Sequence, residues 1–86
     1  MNVEIKASFL TEGSDEGVFL QWLIQLGERV KKGDLLCEIE TYKAVVQIEA
    51  PVDGVIADFK CNQGEIVTTS SVLGYIQTDD EGKNER

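Results

Sequence analysis

The chain has 86 residues, 42% hydrophobic and 28% charged, which predicts one small globular domain and excludes a disordered segment. Its formal net charge of -8 repels nucleic-acid phosphates and anionic lipid, so we exclude both and expect a protein partner with a basic surface. It contains no histidine, the commonest general base and metal ligand, and a core of this size leaves little room for a catalytic cleft. We therefore expect a domain that is not an enzyme and holds no metal.

The two cysteines, Cys37 and Cys61, lie in strand-like runs and are too far apart for metal-binding spacing. Buried free thiols are the prediction for both. No secretory segment opens the chain, and no apolar run reaches transmembrane length. These features predict a reducing compartment, the cytoplasm, or the mitochondrial matrix if the source is a eukaryote.

Two strands are predicted before the first turns. Residues 3–9 alternate and place Val3, Ile5, Ala7 and Phe9 on one face. A polar, acidic loop follows over residues 10–16. Residues 17–24 are almost continuously apolar, which predicts a strand buried on both faces or one that passes between sheets.

A hairpin with a lysine at its tip is the most distinctive prediction. Gly27 and Gly33 mark two tight turns on either side of a short bridge, after which residues 35–41 and 44–50 form the two hairpin strands. Tyr42 and Lys43 are left at the tip, although two-residue hairpin turns favour residues that adopt positive φ. Either the tip has a purpose beyond turning the chain, or Lys43 is an ordinary solvated lysine on a slightly longer turn or a type I turn.

An internal repeat runs through the chain. Placing Gly17 over Gly54 aligns turn glycines and core hydrophobes together, which chance rarely arranges. The aligned pairs are Val18 with Val55, Trp22 with Phe59, Gly27 with Gly64, Glu28 with Glu65, Val30 with Val67, Leu36 with Leu73, Ile39 with Ile76, and Thr41 with Thr78. The repeat predicts two similar halves packed as two antiparallel sheets with approximate two-fold symmetry. Gly27 and Gly64 are predicted to occupy equivalent turns with positive φ.

The repeat fails after Thr78, where an acidic stretch replaces the hairpin and no returning strand follows. Lys43 therefore has no counterpart in the second half. We expect it to project from one end of the domain, with the C-terminus leaving from the other. Residues 1–78 are predicted to form the domain and residues 79–86 a polar tail or the start of a linker.

The chain resembles the lipoyl domains of the 2-oxo acid dehydrogenase acyltransferases, within the biotinyl/lipoyl attachment family. The resemblance covers nearly the whole chain and is carried by Glu16-Gly17, Trp22-Leu23-Ile24, Gly27, Val30, Gly33-Asp34, Leu36, Glu38-Ile39-Glu40-Thr41, Lys43-Ala44, Ala50-Pro51 and Gly54. It implies an all-β flattened barrel or sandwich of two four-stranded antiparallel sheets with quasi-two-fold symmetry.

The resemblance also implies a function. Lys43 matches the residue that carries lipoate in an amide bond, and Glu40, Thr41, Tyr42 and Ala44 match the recognition residues around it. The implied role is a non-catalytic swinging-arm carrier, alone or within an acyltransferase chain, that shuttles acyl groups between active sites. The implied partners are a 2-oxo acid decarboxylase, the acyltransferase core, dihydrolipoamide dehydrogenase and a lipoate ligase or transferase.

Some residues depart from the family pattern and leave alternatives open. Tyr42 stands where the family usually has aspartate, Ala7 and Ser8 where many members have Met-Pro, and Thr11 where they have glycine. A biotin carrier is one alternative, although biotin acceptors usually have methionine on both sides of the lysine. An unmodified lipoyl-like module with a structural or adaptor role is the other.

Overall fold

The fold is an all-β sandwich, seen in a computed structural model that describes residues 1–7 and 16–78. The two antiparallel sheets have four strands each, in the orders β1-β8-β6-β3 (the first sheet) and β5-β4-β2-β7 (the second sheet). The strands are β1 (Asn2–Lys6), β2 (Glu16–Trp22), β3 (Arg29–Val30), β4 (Leu35–Glu40), β5 (Val45–Glu49), β6 (Gly54–Phe59), β7 (Ile66–Thr68) and β8 (Val72–Gln77). The predicted fold class is confirmed. The described part of the chain has no helix long and apolar enough to cross a membrane.

The two sheets are related by the symmetry that the repeat predicts. The repeat carries β2, β3 and β4 onto β6, β7 and β8, and these strands occupy matching places in the two sheet orders. The equivalent turn glycines both have positive φ, 85° at Gly27 and 90° at Gly64. Gly27 N–H donates to the Ile56 carbonyl and Gly64 N–H to the Phe19 carbonyl, both at 2.8 Å. The predicted repeat of turns is therefore confirmed.

The N-terminal strand supplies the returning strand that the second half lacks. Val3 pairs with Ile76 in the first sheet as Val46 pairs with Ile39 in the second. Strand β1 is thus the structural counterpart of β5. The two differ in sequence position, because β5 directly follows its partner β4, whereas β1 precedes its partner β8 by most of the chain. The chain start therefore lies beside Thr78, in the place that corresponds to the hairpin tip. The prediction that no strand returns after Thr78 concerns residues 79–86 and lies outside the described residues. The part played by β1 was not predicted, because a sequence repeat compares the order of residues along the chain and carries no information on strand pairing.

The core lies between the sheets, where inward-facing residues of both halves meet. Trp22 and Phe59, which are equivalent in the repeat, stack with ring centroids 4.2 Å apart and planes 14° apart. The indole Nε1–H donates to the Cys61 carbonyl at 3.0 Å, so the polar edge of Trp22 has a partner. Two residues that are aligned in the repeat are therefore in direct contact. The largest fully buried side chains are Phe19, Ile5, Leu36, Ile39, Ile56, Leu73, Ile76, Val30 and Cys37.

Strand β2 differs from its prediction. It ends at Trp22, pairs with β4 and β7 in one sheet, and alternates between buried and exposed residues. Phe19 is buried, whereas Val18 is 37% exposed. The prediction that this strand is buried on both faces, or passes between sheets, is wrong. An unbroken apolar run does not distinguish a doubly buried strand from one whose outer face carries exposed aliphatic side chains.

Candidate modification site at the β4–β5 tip

The β4–β5 hairpin is paired in register up to its last strand residues. Glu40 pairs with Val45, and Thr41 N–H donates to the Ala44 carbonyl at 2.8 Å. Tyr42 and Lys43 are the two residues outside this ladder. No non-glycine residue in the described ranges has positive φ, so the tip is not the primed turn that usually closes a two-residue loop.

The side chain of Thr41 explains how this turn closes without glycine or asparagine. Its Oγ1 accepts hydrogen bonds from Lys43 N–H at 3.2 Å and Ala44 N–H at 3.1 Å. The same hydroxyl donates to the Ala44 carbonyl at 2.8 Å. One donor and two lone pairs are all that a threonine hydroxyl offers, so its hydrogen-bonding capacity is fully used. A side chain beside the tip therefore fixes the backbone of Lys43.

Lys43 presents its amine to solvent. Among the described residues, Lys6 is paired with Glu4 and Lys60 with Asp58, whereas Lys43 forms no ion pair with a described carboxylate. Its Nζ lies 5.7 Å from the ring centroid of Tyr42, within cation–π range, and that tyrosine is 76% exposed. At an exposed site such a contact is worth about 0.5–1 kcal/mol, too little to withhold the amine from a reaction.

The tip lies at the opposite end of the domain from the end of β8. Lys32 N–H donates to Asp53 Oδ1 at 2.8 Å, so the turn before β4 lies beside the residues that lead into β6. Val55, near the start of β6, pairs with Gln77 at the end of β8. Strand β8 therefore ends near the beginning of β4, whereas Lys43 follows the end of β4.

The residues predicted to surround Lys43 are close to it. Glu40 ends β4 and is exposed, Thr41 closes the turn, and Tyr42 and Ala44 adjoin Lys43 in sequence and are exposed. Ala7 is buried directly after β1. The other predictions near the N-terminus and at the tail, which concern Ser8, Phe9, Thr11, most of the loop at 10–16 and residues 79–86, lie outside the described residues.

A polar ladder behind the tip has no counterpart in the sequence-based prediction. Gln21 donates to Glu38 Oε1 at 2.9 Å, and Gln47 donates to Glu38 Oε2 at 3.1 Å. The hydrogen bond from Gln21 first, and that from Gln47 second, lower the pKa of the Glu38 carboxyl. This carboxylate therefore stays ionised at neutral pH. Glu38 lies two residues before Glu40, the last residue of β4. Its partners come from two other strands, so only the register of the sheet could have revealed it.

The remaining nucleophiles are not arranged for chemistry. Cys37 and Cys61 are free and buried, as predicted. Burial, with smaller effects from Cys61 and Glu38, raises the pKa of the Cys37 thiol to about 12. Burial also raises the pKa of the Cys61 thiol to about 12, helped by Glu65. Both thiols stay protonated at neutral pH and do not act as nucleophiles.

A groove of about 900 Å³ runs between the edge strands β1 and β5. Apolar and polar side chains both line it, and they are Val3, Glu4, Ile5, Lys6, Val46, Gln47, Ile48, Glu49 and Pro51. It contains none of the predicted site residues. Within residues 1–7 and 16–78, no group of three or more acidic or cysteine side chains is placed to hold a metal ion.

Comparison with known proteins identifies the family. The biotin/lipoyl family model, described as "Biotin-requiring enzyme", matches residues 3–76. The chain therefore belongs to the biotinyl/lipoyl attachment family. The solution structure of the lipoyl domain of the 2-oxoglutarate dehydrogenase complex from Azotobacter vinelandii superposes with a TM-score of 0.68 at 36% identity, covering 87% of this chain and 95% of that one. The predicted resemblance to lipoyl domains is confirmed.

Two similar curated proteins are components of dehydrogenase complexes. The succinyltransferase component of the 2-oxoglutarate dehydrogenase complex of Pseudomonas aeruginosa is 38% identical over 76 residues, which is 88% of this chain and 19% of that protein. The acetyltransferase component of the pyruvate dehydrogenase complex of Zymomonas mobilis is 39% identical over 77 residues, with 88% and 18% covered. The chain thus spans about a fifth of the length of these relatives.

The tip geometry predicts the effect of removing one hydroxyl. Thr41→Val keeps the β-branched shape but removes three hydrogen bonds, each worth about 1 kcal/mol or less at a solvated turn. We expect faster amide hydrogen exchange at Lys43 and Ala44, measured by NMR, and near-normal exchange in Thr41→Ser. Thr78→Val is the matched control, since its hydroxyl makes one bond, 3.3 Å to the Met1 carbonyl, at the other end. Equal exchange at the tip in wild type and Thr41→Val would show that the hydroxyl does not fix the turn.

Proposed function

We propose that this chain is a swinging-arm carrier domain in which lipoate is joined by an amide bond to Nζ of Lys43. One observation carries the proposal: an exposed primary amine stands at the tip of a hairpin whose backbone Thr41 holds in place. The amine can reach the active site of another enzyme without any opening of the fold. The equivalent place in the pseudo-symmetric half lies where Thr78 N–H donates to the Met1 carbonyl at 2.9 Å.

The residues present fit this group. Bound lipoate supplies a cyclic disulfide that accepts an acyl group at one active site and gives it up at another. The chain contributes position: Thr41 orients the tip, and the sandwich beneath it keeps the attachment point rigid. Amide formation at Lys43 also removes one positive charge from an already acidic domain. Because Cys37 and Cys61 are buried and protonated, they do not compete for the acyl group.

The proposed partners are drawn from the relatives. Those proteins are named as acyltransferase components of 2-oxoglutarate and pyruvate dehydrogenase complexes. For this chain we propose a 2-oxo acid decarboxylase, an acyltransferase core and dihydrolipoamide dehydrogenase as the enzymes visited by the arm. A lipoate ligase or transferase would install the group, in the cytoplasm or, in a eukaryote, the mitochondrial matrix. Tethering to the complex would raise the concentration of the arm at each active site.

The test is intact-mass spectrometry of the chain purified from a host supplied with lipoate. We expect a mass increment of one lipoyl group, and fragmentation should assign it to the peptide that contains Lys43. An increment of one biotinyl group would identify the biotin carrier instead, and an unmodified chain under the same conditions would favour the adaptor module. Either outcome would overturn the proposal.

Tyr42 offers a second prediction about the same reaction. Tyr42→Asp restores the residue that the family usually has and removes the ring that lies near the Lys43 amine. We expect unchanged thermal stability, because this side chain is 76% exposed, and a severalfold higher initial rate of lipoylation by a bacterial lipoate–protein ligase. Tyr42→Ala separates loss of the ring from gain of the carboxylate. Equal rates in all three proteins would show that the ligase reads the lysine position and not residue 42.

A further inference from the structure

A row of exposed aliphatic side chains crosses the second sheet next to the tip. Pairing across β5, β4, β2 and β7 brings Val45, Glu40, Val18 and Ile66 into one line. Their neighbours in the same strands, including Ile39, Phe19 and Val67, are buried in the core, so this line lies on the outer face. Val45 is 51% exposed, Val18 37% and Ile66 67%. We call these four residues the tip row.

The internal symmetry supplies a control for this surface. The equivalent line on the first sheet runs through Asn2, Gln77, Val55 and Arg29, paired in the same way. Asparagine and arginine there replace Val45 and Ile66, and Val55 is only partly exposed. The line at the end with the lysine therefore has three aliphatic side chains, and the line at the other end has one, Val55. Sheet architecture does not require aliphatic residues at the positions of Val45 and Ile66, since the sister sheet forms with asparagine and arginine there.

We infer that the tip row is the surface on which the acyl-donating 2-oxo acid decarboxylase docks while the arm on Lys43 occupies its active site. The inference rests on the proposed function. The row spans three strand spacings, roughly 14 Å, and Val45 stands two residues from Lys43, so a partner that receives the arm must face it. Val18 and Ile66 are directly paired, and Val45 lies on the other side of Glu40 from them. Exposed aliphatic side chains clustered in this way mark contact surfaces more often than scattered ones do.

The charges of the row indicate the chemistry of the partner surface. Glu40 stands between Val45 and Val18, and the ionised Glu38 lies behind it on the same strand. The row contains no basic side chain to balance these carboxylates, and amidation of Lys43 removes a positive charge at the adjoining tip. The partner surface should therefore be an apolar strip with a basic side chain placed against Glu40, consistent with an acidic domain of net charge -8.

The test makes the tip row resemble its sister line. The double variant Val45→Asn, Ile66→Arg replaces two residues of the tip row with the residue types found at the equivalent positions of the first sheet. The lipoylated double variant is compared with lipoylated wild type. The probes are the 2-oxoglutarate decarboxylase of the Pseudomonas aeruginosa complex and the pyruvate decarboxylase of the Zymomonas mobilis complex. Acyl transfer to the domain is followed by mass spectrometry over a range of domain concentrations. For the decarboxylase that acylates wild type, we expect kcat/KM to fall at least about tenfold, through KM.

Two controls separate docking from folding and from modification. Leu35→Thr removes an aliphatic side chain that is 41% exposed at the far end of β4, and should leave kcat/KM unchanged. Every variant is used fully lipoylated, as checked by intact mass, and its thermal unfolding midpoint should match that of wild type, which shows that the fold is intact. If wild type is not lipoylated, the proposed function itself fails.

Three results would overturn the docking surface alone. The first is a double variant that is lipoylated and acylated at the wild-type rate, and the second is a lipoylated wild type that neither decarboxylase acylates. The third is a dimer of wild type, seen by sedimentation equilibrium, that the double variant dissociates. That result would assign the tip row to a second copy of this chain.

Discussion

Changing Lys43 to arginine is expected to abolish lipoylation while leaving the fold unchanged. Arginine keeps the positive charge and most of the length of the side chain, and the exposed tip makes no core contacts that the change would disturb. Its guanidinium is never deprotonated in a protein and is a far poorer acceptor of an acyl group than a primary amine. The mass increment should therefore disappear, and the thermal unfolding midpoint should stay within about 2 °C of wild type.

The matched control is another exposed lysine. Lys60 follows β6 and forms an ion pair with Asp58 at 3.2 Å, and Lys60→Arg can preserve that pair. Lys60→Arg should keep the full lipoyl increment, as should arginine at Lys31 or Lys32 in the turn before β4. An increment that persists in Lys43→Arg would show that another amine is the acceptor. An increment lost in the controls as well would point to a general defect in recognition of the domain.

The sequence predicted the architecture well because the same pattern of turn glycines and core positions occurs twice in the chain. Turn glycines recur together with core positions, so Gly27 and Gly64 could be assigned the same positive φ before any coordinates were known. The same alignment pairs Trp22 with Phe59, and in the structure these two rings stack on each other. A repeat tests each half against the other, which single strands cannot do.

The sequence could not predict which strand completes each sheet. Pairing between β1 and β8 joins the two ends of the chain, and no periodicity within either strand specifies its partner. The tip row is hidden for the same reason. Val18 and Ile66 are far apart in the sequence and become neighbours only through the β2–β7 register. The apolar run around Val18 instead predicts burial, because composition does not tell which side of a strand faces water.

The sequence predicted where the candidate site lies, but it did not show how the turn at the tip is closed. Lys43 at a hairpin tip followed from the flanking alternation, but the two tip residues are not those that a two-residue turn favours. The turn is closed by Thr41, the residue before Tyr42, because its hydroxyl provides the hydrogen bonds to Ala44. Hydroxyl-to-backbone bonds of this kind depend on rotamer and backbone geometry together, so a threonine at the end of a strand gives no clear signal in sequence.

Gly54→Ala is expected to destabilise the domain more than alanine at its repeat equivalent or at a turn glycine. A Cβ at Gly54 would meet the carbonyl oxygen of Gln77 and lie 2.6 Å from Cγ2 of Ile76. Neither can move away easily, because Gln77 pairs with Val55 and Ile76 with Ile56 in the interior of the first sheet. We expect a loss of about 3 kcal/mol in the free energy of unfolding, as overpacking against fixed backbone costs.

Alanine substitutions at two other glycines provide a comparison for the destabilisation expected at Gly54. Alanine at Gly17, the equivalent of Gly54, would press mainly on the Ile39 side chain, with the Glu40 carbonyl at 3.1 Å, and should cost less. Gly27 has φ 85° and open space around it, so alanine there meets only backbone strain of about 1–2 kcal/mol, partly offset by the stiffer unfolded chain. Urea unfolding followed by the fluorescence of Trp22, the single tryptophan, measures all three.

The expected order of destabilisation is Gly54 first, Gly17 second and Gly27 last. This order separates two causes that the sequence repeat treats alike, since every one of these glycines recurs in the other half. If close packing of the strands dominates, the loss in free energy of unfolding should be larger where the new Cβ meets a backbone oxygen than where it meets a side-chain methyl group, which can move. If Gly27→Ala proves the most damaging, the turns and not the close strand contacts hold the two halves in register.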